Sequence, residues 1–368
     1  MGNKSTKDWG NIMRKILKYL LLVLIFSFMI LFFNQLTAKA TTLKTVNTMD
    51  ELKKVFEEKA IIEGNVIKLT DNVVIEDNAY DIKIPELIID FNGKTIECKE
   101  TIYCCNKVTL EDNSTTNKLN WGGIIFNTNN SVDVREGAEL TINNGKYIDS
   151  EKDKSYLLFV EGKMTVNDAV FSTNKTTDVM FKNTMINLGN NCEVLINNGD
   201  FSHVGKIIDD STESNPYKHN YKLTINGGNF KISGKMGDCI GISALYPYVN
   251  DNNTKEVIIP KVILSNCNVE SESVTVSFTG GSTEKEYKDI DTKILTILSG
   301  NYKCVKNGIT ALHISCNLSP FTYFNPKDVN IQNGTFSSED AGAAIRLDGP
   351  RKRRLCFFEW WLFEWLWR

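Results

Sequence analysis

The chain is poor in the features that mark several common classes of protein. Its net charge is −3, and its only dense basic run, residues 351–354, lies in an anomalous tail, which argues against a nucleic-acid partner. The nine cysteines contain no Cys-x-x-Cys pair, so we expect buried, reduced thiols rather than a zinc site, and no cofactor. No helical periodicity follows residue 60 before that tail, which argues against a doubly wound α/β fold.

The N-terminus is predicted to be an export signal. Basic residues Arg14, Lys15 and Lys18 precede an apolar run of 15 residues, 19–33, and Ala38-Lys39-Ala40 has the small-x-small pattern of a cleavage site. A membrane-spanning helix needs about 20 apolar residues, so cleavage near Ala40 is favoured over a permanent anchor. We therefore assign residues 1–40 to the signal and expect an extracellular or cell-surface protein, tethered to the membrane if the signal stays uncleaved.

One eight-residue pattern recurs seven times between residues 140 and 336. Each copy has two apolar residues separated by one position, then a turn former and a small residue, and closes on a large apolar side chain, as in LTINNGKY (140–147) and LTINGGNF (223–230). Apolar residues two apart share one face of a strand, and Asn-Gly permits the positive φ of a sharp corner. Successive copies start 24 to 39 residues apart, so we interpret each repeat as one coil of a solenoid whose insertions fall in loops.

Stacking of the coils would place equivalent side chains above one another. The first predicted ladder consists of Ile142, Val166, Ile196, Ile225, Leu264, Ile297 and Ile331. The second consists of Tyr147, Phe171, Phe201, Phe230, Val269, Tyr302 and Phe336. A hydrogen-bonded amide ladder is predicted at the corner, formed by Asn144, Asn198, Asn266 and Asn333. The solenoid should occupy residues 65–348 and hold roughly nine coils.

A short helix is predicted to cover the first coil. Thr48-Met49-Asp50-Glu51 fits a capping box. The apolar face that follows would consist of Met49, Leu52, Val55, Phe56 and Ala60. Because both ends of a strand stack expose unpaired edges, this capping segment, residues 41–64, should lie over the N-terminal end of the solenoid.

These segments carry a resemblance. TVNTMDELKKVFEEKA (45–60), LIIDFNGKTI (87–96) and the LTINGGNF-type units resemble the pectin-lyase-like β-helix group, and within it the adhesin-like surface proteins of Gram-positive bacteria and related anaerobes. The resemblance covers about residues 44–347. It implies an all-β fold, a right-handed parallel β-helix (solenoid) with a short N-terminal capping helix, preceded by a signal-peptide helix. Such a fold does not by itself specify an activity.

Residues 349–368 break the composition of the chain, because they contain four of its six tryptophans. Trp has the single codon TGG, so Glu359-Trp360-Trp361 read one base later becomes Asn (or Ser)-Gly-Gly, which fits the repeat. We therefore expect a frameshifted continuation of the solenoid and a chain truncated at its C-terminus. The alternative is a genuine helix at a membrane interface, where Trp and Phe are favoured.

The resemblance also raises the question of catalysis. In the group, lyases use a base such as Arg with acidic calcium ligands, and polygalacturonase-type hydrolases use clustered carboxylates with Gly-His-Gly and Arg-Ile-Lys signatures. Here the solenoid has only Arg135 and Arg346, about seven coils apart, one acid pair, Asp209-Asp210, and neither signature. We assign no catalytic residue, and a lyase or hydrolase of acidic glycans stays the alternative function.

Aromatic residues between the repeats favour a binding edge. The residues assigned to it are Tyr217, Tyr246, Tyr248, Tyr287, Phe321 and Tyr323. Exposed rings stack on sugar faces, and neighbouring acids leave calcium open as a ligand without a specific motif. The alternative is that these rings pack loops onto the cylinder. The sequence thus favours a non-catalytic, adhesin-like or glycan-binding surface protein that meets the membrane only through its signal segment; a structural stalk is a second alternative.

Overall fold

The computed structural model describes residues 49–76, 80–127, 131–150, 156–174, 184–210, 220–234, 237–249, 252–305, 310–315, 322–323, 325–339 and 343–348. The predicted export signal and the Trp-rich tail lie outside these residues. By contacts the chain divides into two units, Met1–Thr45 and Val46–Arg368, and only the second contains described residues. Within the described ranges, no helix is both long and apolar enough to cross a membrane.

The predicted capping helix is present as α1, Met49–Glu58. Its buried side chains Leu52 and Phe56 face the first coil, where the rings of Phe56 and Tyr80 stack at 6.4 Å. Residues 50–57 have φ angles of 43° to 54°, a left-handed winding that the sequence pattern does not predict. The predicted apolar face ran to Ala60, which was wrong, because Ala60 begins a strand that folds back antiparallel onto the next.

Three sheets make up the solenoid, and the chain passes from sheet I to sheet II to sheet III in every coil. In spatial order, sheet I contains β1 (Ala60–Glu63), β2 (Val66–Leu69), β5 (Glu86–Asp90), β8 (Lys107–Glu111), β11 (Glu139–Ile142), β14 (Lys163–Val166), β17 (Glu193–Ile196), β20 (Lys222–Ile225), β25 (Lys261–Leu264), β28 (Leu295–Ile297) and β31 (Val329–Ile331). Sheet II contains β3 (Val73–Ile75), β6 (Thr95–Cys98), β9 (Gly123–Phe126), β12 (Lys146–Asp149), β15 (Val170–Thr173), β18 (Asp200–His203), β21 (Gly228–Ile232), β26 (Cys267–Ser271), β29 (Gly300–Cys304) and β32 (Thr335–Ser338). Sheet III contains β4 (Tyr80–Ile82), β7 (Ile102–Cys104), β10 (Val132–Val134), β13 (Tyr156–Val160), β16 (Thr184–Leu188), β19 (Lys206–Asp209), β22 (Asp238–Tyr246), β27 (Val274–Ser282), β30 (Thr310–Ser315) and β33 (Ile345–Asp348).

The all-β, parallel β-helix architecture predicted from the repeats is confirmed. Sheets II and III have ten strands each and sheet I has eleven, the antiparallel β1 included, so the described residues form ten coils rather than roughly nine. The smaller elements among the described residues are the hairpin β23 (Tyr248–Val249) and β24 (Lys255–Glu256) and three 3-10 helices, η1 (Lys118–Asn120), η2 (Lys285–Tyr287) and η3 (Pro326–Asp328).

Both predicted side-chain ladders are in register. Ile142 pairs with Val166, and the pairing continues through sheet I to Ile331. Tyr147 pairs with Phe171, and that column continues through sheet II to Phe336. Its rings stack at 4.7 to 5.0 Å wherever two aromatic residues are consecutive in the column. Only the last members, Ile331 and Phe336, are half-buried, because no described coil covers them.

The corner between sheets I and II holds an amide ladder, but one position earlier than predicted. Its rungs are side-chain bonds of 2.8 to 2.9 Å that join Glu111, Asn143, Asn167, Asn197 and Asn226. The predicted position gives no continuous ladder, since Asn198 donates to Asp168 and Asn266 to a backbone carbonyl. The reason is that the residue directly after the strand keeps the strand's register, whereas the next residue already follows the corner.

Candidate functional site

The structure describes four of the six aromatic residues assigned to the binding edge. Tyr217 and Phe321 lie outside the described residues. Tyr246 is fully buried, so its assignment as a sugar-stacking ring was wrong. It lies at the end of β22 on the same strand face as Ile242 and Ala244, which belong to the core, and alternation along the strand therefore directs it inward.

The other three rings lie in consecutive connections from sheet III to sheet I. Tyr248 and Tyr287 are half-buried, and Tyr287 packs against the core, whereas Tyr323 is 41% exposed. The connections touch one another: Tyr323 and Ser282 exchange backbone hydrogen bonds of 2.6 and 3.0 Å, and Lys255 forms an ion pair with Glu284. The corner between sheets III and I is thus a joined loop layer in which the ring of Tyr323 is the most exposed of the three.

A buried polar cluster anchors this loop layer. The Tyr246 hydroxyl donates to Asp328 Oδ1 at 2.7 Å, and Asn325 Nδ2 donates to the Tyr246 hydroxyl at 2.8 Å. Thr292 also donates to Asp328 Oδ1, while Asp328 Oδ2 is buried without a hydrogen-bond partner. Burial raises the pKa of Asp328 to about 6, against the opposing effect of the hydrogen bonds from Thr292 and Tyr246. This cluster holds loops together and has no described opening to solvent.

The acidic pair is also buried. Asp209 accepts from Lys206 Nζ at 2.5 Å, and Asp210 accepts from the Tyr221 hydroxyl at 2.7 Å and from the Ser243 amide at 2.8 Å. Both carboxylates are at most 3% exposed. These contacts give the pair a structural role rather than that of a solvent-facing acid and base.

The remaining ionisable candidates are dispersed. His203 lies 3.5 Å from Asp149 inside the cylinder, and His313 lies 3.0 Å from Asp348 at the last coil. Arg135 pairs with Glu161. Among the described residues no group of three or more His, Cys, Asp or Glu side chains is arranged to hold a metal ion. His219 lies outside them.

The outer face of sheet II carries a second regular column of polar side chains. One column of register partners runs through five successive coils as Asp200, Asn229, Asn268, Asn301 and Thr335. Each side chain bonds the preceding one: Asn229 to Asp200 at 2.8 Å, Asn268 to Asn229 at 3.2 Å, Asn301 to Asn268 at 3.0 Å and Thr335 to Asn301 at 2.5 Å. We call this column the sheet II ladder.

The asparagines of the sheet II ladder leave hydrogen-bonding capacity free. An asparagine amide has two N–H donors and a carbonyl oxygen with two lone pairs. Within the ladder, Asn229 and Asn268 each use one N–H toward the preceding side chain and one lone pair toward the following one. One donor and one acceptor per residue thus face solvent in a fixed orientation, repeated at the strand spacing of about 4.8 Å.

A second outer column runs beside the ladder and forms the other wall of a groove. It contains Lys231, Glu270 and Lys303, two positions further along each strand. Lys231 pairs with Glu270 at 2.8 Å, and Lys303 pairs with Glu339 at 2.5 Å. The groove between the columns has a volume of about 310 Å³.

A loop that carries η1 contacts the first residue of the ladder. Lys118 lies 2.6 Å from Asp168 and 3.2 Å from Asp200, the first residue of the ladder. Burial acts to lower the pKa of Lys118, but the hydrogen bonds and negative charges of the two carboxylates act more strongly, so the pKa is raised overall. The lysine therefore stays charged at neutral pH. The loop itself is held by Asp112, whose carboxylate accepts from the Gly93 and Gly122 amides and from Ser114.

Sequence reasoning missed this groove although a signal was present. The seventh position of the repeat was treated as free, yet it is Asn229, Asn268 and Asn301 in three consecutive copies. Comparisons with protein-family models, with curated proteins and with solved structures found no match to this chain.

Proposed function

We propose that this protein is an exported, non-catalytic β-helix protein of the cell surface, related to the pectin-lyase-like group and adhesin-like, that binds glycans in the sheet II groove. The observation that carries the proposal is the continuous ladder from Asp200 to Thr335, whose asparagines Asn229, Asn268 and Asn301 present preoriented donors and acceptors on three of its five coils. Groups already held in their bound orientation lose little entropy on binding. Donors and acceptors side by side favour a ligand rich in hydroxyl groups, because a hydroxyl both donates and accepts.

Two further observations support a binding role over a hydrolytic one. The carboxylates of Asp209 and Asp210 are buried and hydrogen-bonded. Arg135 and Arg346 lie far apart along the solenoid, and each is paired with an acid.

The export component rests on the apolar run at residues 19–33 and the cleavage pattern that follows it. It is tested by sequencing the N-terminus of protein recovered from the cell surface or medium.

Binding is tested with the purified full chain on an array of plant, bacterial and animal glycans. We expect the double variant Asn268→Ala/Asn301→Ala to lose binding. The matched control is Asn197→Ala/Asn226→Ala, which interrupts the ladder at the corner between sheets I and II, where amides also bond at 2.9 Å but do not line the groove. Absence of binding to every glycan, or unsaturated or newly reducing ends after incubation with pectin-like polymers, would overturn the proposal.

The edge predicted from sequence provides a competing location. Tyr323 lies at the corner between sheets III and I, which is not adjacent to sheet II. The groove therefore predicts that Tyr323→Ala leaves glycan affinity unchanged. A loss of binding in Tyr323→Ala, with normal binding by the double ladder variant, would move the site to that edge.

A further inference from the structure

We infer that the sheet II groove takes an uncharged, extended polysaccharide that runs parallel to the solenoid axis and crosses the coils. This inference rests on the proposed function and specifies its ligand. It follows from four properties of the groove: its charge, its free hydrogen-bonding groups, its direction and its lack of exposed rings.

The charges around the groove compensate one another. Its lysines, Lys118, Lys231 and Lys303, are all ion-paired, and the carboxylates beside them are Asp168, Asp200, Glu270 and Glu339. Three cations against four anions give no positive field to attract a polyanion. Recognition of carboxylates or sulfates relies instead on unpaired Lys or on Arg, and no described arginine lines this groove.

The free hydrogen-bonding groups match hydroxyls rather than charges. A hydroxyl group is both a donor and an acceptor, so it can satisfy one amide N–H and one carbonyl lone pair. The sheet II ladder presents that combination on neighbouring residues Asn229 and Asn268. Each sugar of an extended β-1,4-linked chain advances by a distance close to the spacing of adjacent strands and carries hydroxyl groups, so successive sugars can meet successive coils.

The direction of the groove defines the shape of the ligand. Five residues at about 4.8 Å spacing span about 19 Å along the axis, which is the length of several sugars. Beneath the ladder, the ring of Phe230 is 1% exposed and Val269 is 2% exposed, so no described aromatic surface in the groove is open for stacking. Binding must therefore come from many individually weak hydrogen bonds, and affinity should depend strongly on chain length.

The test measures affinity of the full chain by calorimetry for β-1,4-linked glucose, mannose and N-acetylglucosamine oligosaccharides of two and six sugars, and for hexagalacturonate as the acidic counterpart. We expect at least one neutral hexamer to bind more than tenfold tighter than its dimer and than hexagalacturonate, with the same affinity at 50 and at 500 mM salt (about a threefold change in Debye length). Equal or tighter binding of hexagalacturonate, weakened by salt, would overturn the inference but leave the proposed function standing. Failure of every glycan on the array would overturn both.

Point variants of the ladder give a second test of the inference, and a matched control variant separates loss of binding from loss of folding. Asn268→Ala and Asn301→Ala should each weaken the neutral hexamer about tenfold, because each removes hydrogen bonds worth roughly that factor. Asn268→Lys places an unpaired cation in the groove and should raise affinity for hexagalacturonate by at least as much. Asn197→Ala at the corner ladder is the matched control and should bind like the wild type. An unaltered neutral affinity in both alanine variants would place the ligand elsewhere and refute the inference.

Discussion

Replacing Asp328 with asparagine should remove a pH dependence of stability that the buried cluster creates. Asp328 is 1% exposed, its Oδ1 accepts from Tyr246 at 2.7 Å and from Thr292, and its Oδ2 has no hydrogen-bond partner. Burial raises the pKa of this carboxyl from 3.8 to about 6. Asparagine keeps an acceptor for Tyr246 and Thr292 and carries no charge at any of these pH values.

The raised pKa means that the folded protein binds this proton more tightly than the unfolded chain does. The stability that the proton contributes is fully present below pH 3.8 and is lost as the pH rises through about 6. A difference of about two pKa units corresponds to about 3 kcal/mol at neutral pH. The free energy of unfolding of Asp328→Asn, relative to wild type, should therefore rise by up to about 3 kcal/mol between pH 4 and pH 7.5.

Its starting value at pH 4 should lie below wild type by about 1–3 kcal/mol, because the amide N–H groups replace an oxygen that has no partner. Urea unfolding followed by circular dichroism at pH 4, 5, 6 and 7.5 measures both quantities. The matched control is Asp291→Asn, which neutralises an exposed carboxyl in the same loop layer, paired with Lys293 at 3.2 Å. Parallel pH profiles of Asp328→Asn and wild type would refute the reasoning.

Two further predictions concern the solenoid itself. Phe201→Ala removes a ring stacked at 5.0 and 4.7 Å on its neighbours and should lower the free energy of unfolding by about 3–5 kcal/mol. Phe336→Ala should lower it less, because Phe336 is half-buried at the last coil. Equal urea midpoints of the two variants would contradict the continuous stack. Gly300→Ala forces a side chain into a backbone φ of 137° and places its Cβ 2.6 Å from the Cys267 carbonyl oxygen. It should lower the stability of the fold more than Gly137→Ala, where φ is also positive but the space around the Cβ is open. The reverse order in thermal unfolding would show that crowding is not the cause.

The amide ladders show how far local pattern reaches. Sequence reasoning predicted that Asn side chains would stack at the corner, and they do, but at Asn143, Asn167 and Asn197 instead of one residue later. The pattern identifies the corner, and only the register shows which residue still lies in the strand. The same limit hid the sheet II ladder, since its three asparagines are 39 and 33 residues apart and each looks like an ordinary exposed position in its own copy.

Sheet III illustrates a second limit. All five residues of β16 are buried, including Asn187, and the outward positions of β19 and β27 bury Asp209 and Ser277 as well. Alternation of apolar and polar residues in the sequence predicts one solvent-exposed face for such strands. It cannot show that another part of the chain covers that face, nor that the Tyr246 hydroxyl bonds to Asp328.

The sequence by itself determined the coil: period-two alternation with a turn former and a small residue in every repeat specifies strand, corner and inward face, because those preferences act between residues close along the chain. The tertiary structure alone decided which polar side chains meet across coils and which are withdrawn from water. Those contacts depend on how long each connection is and where it returns, and the free energy of a hydrogen bond or a buried carboxyl depends on neighbours that are distant in sequence.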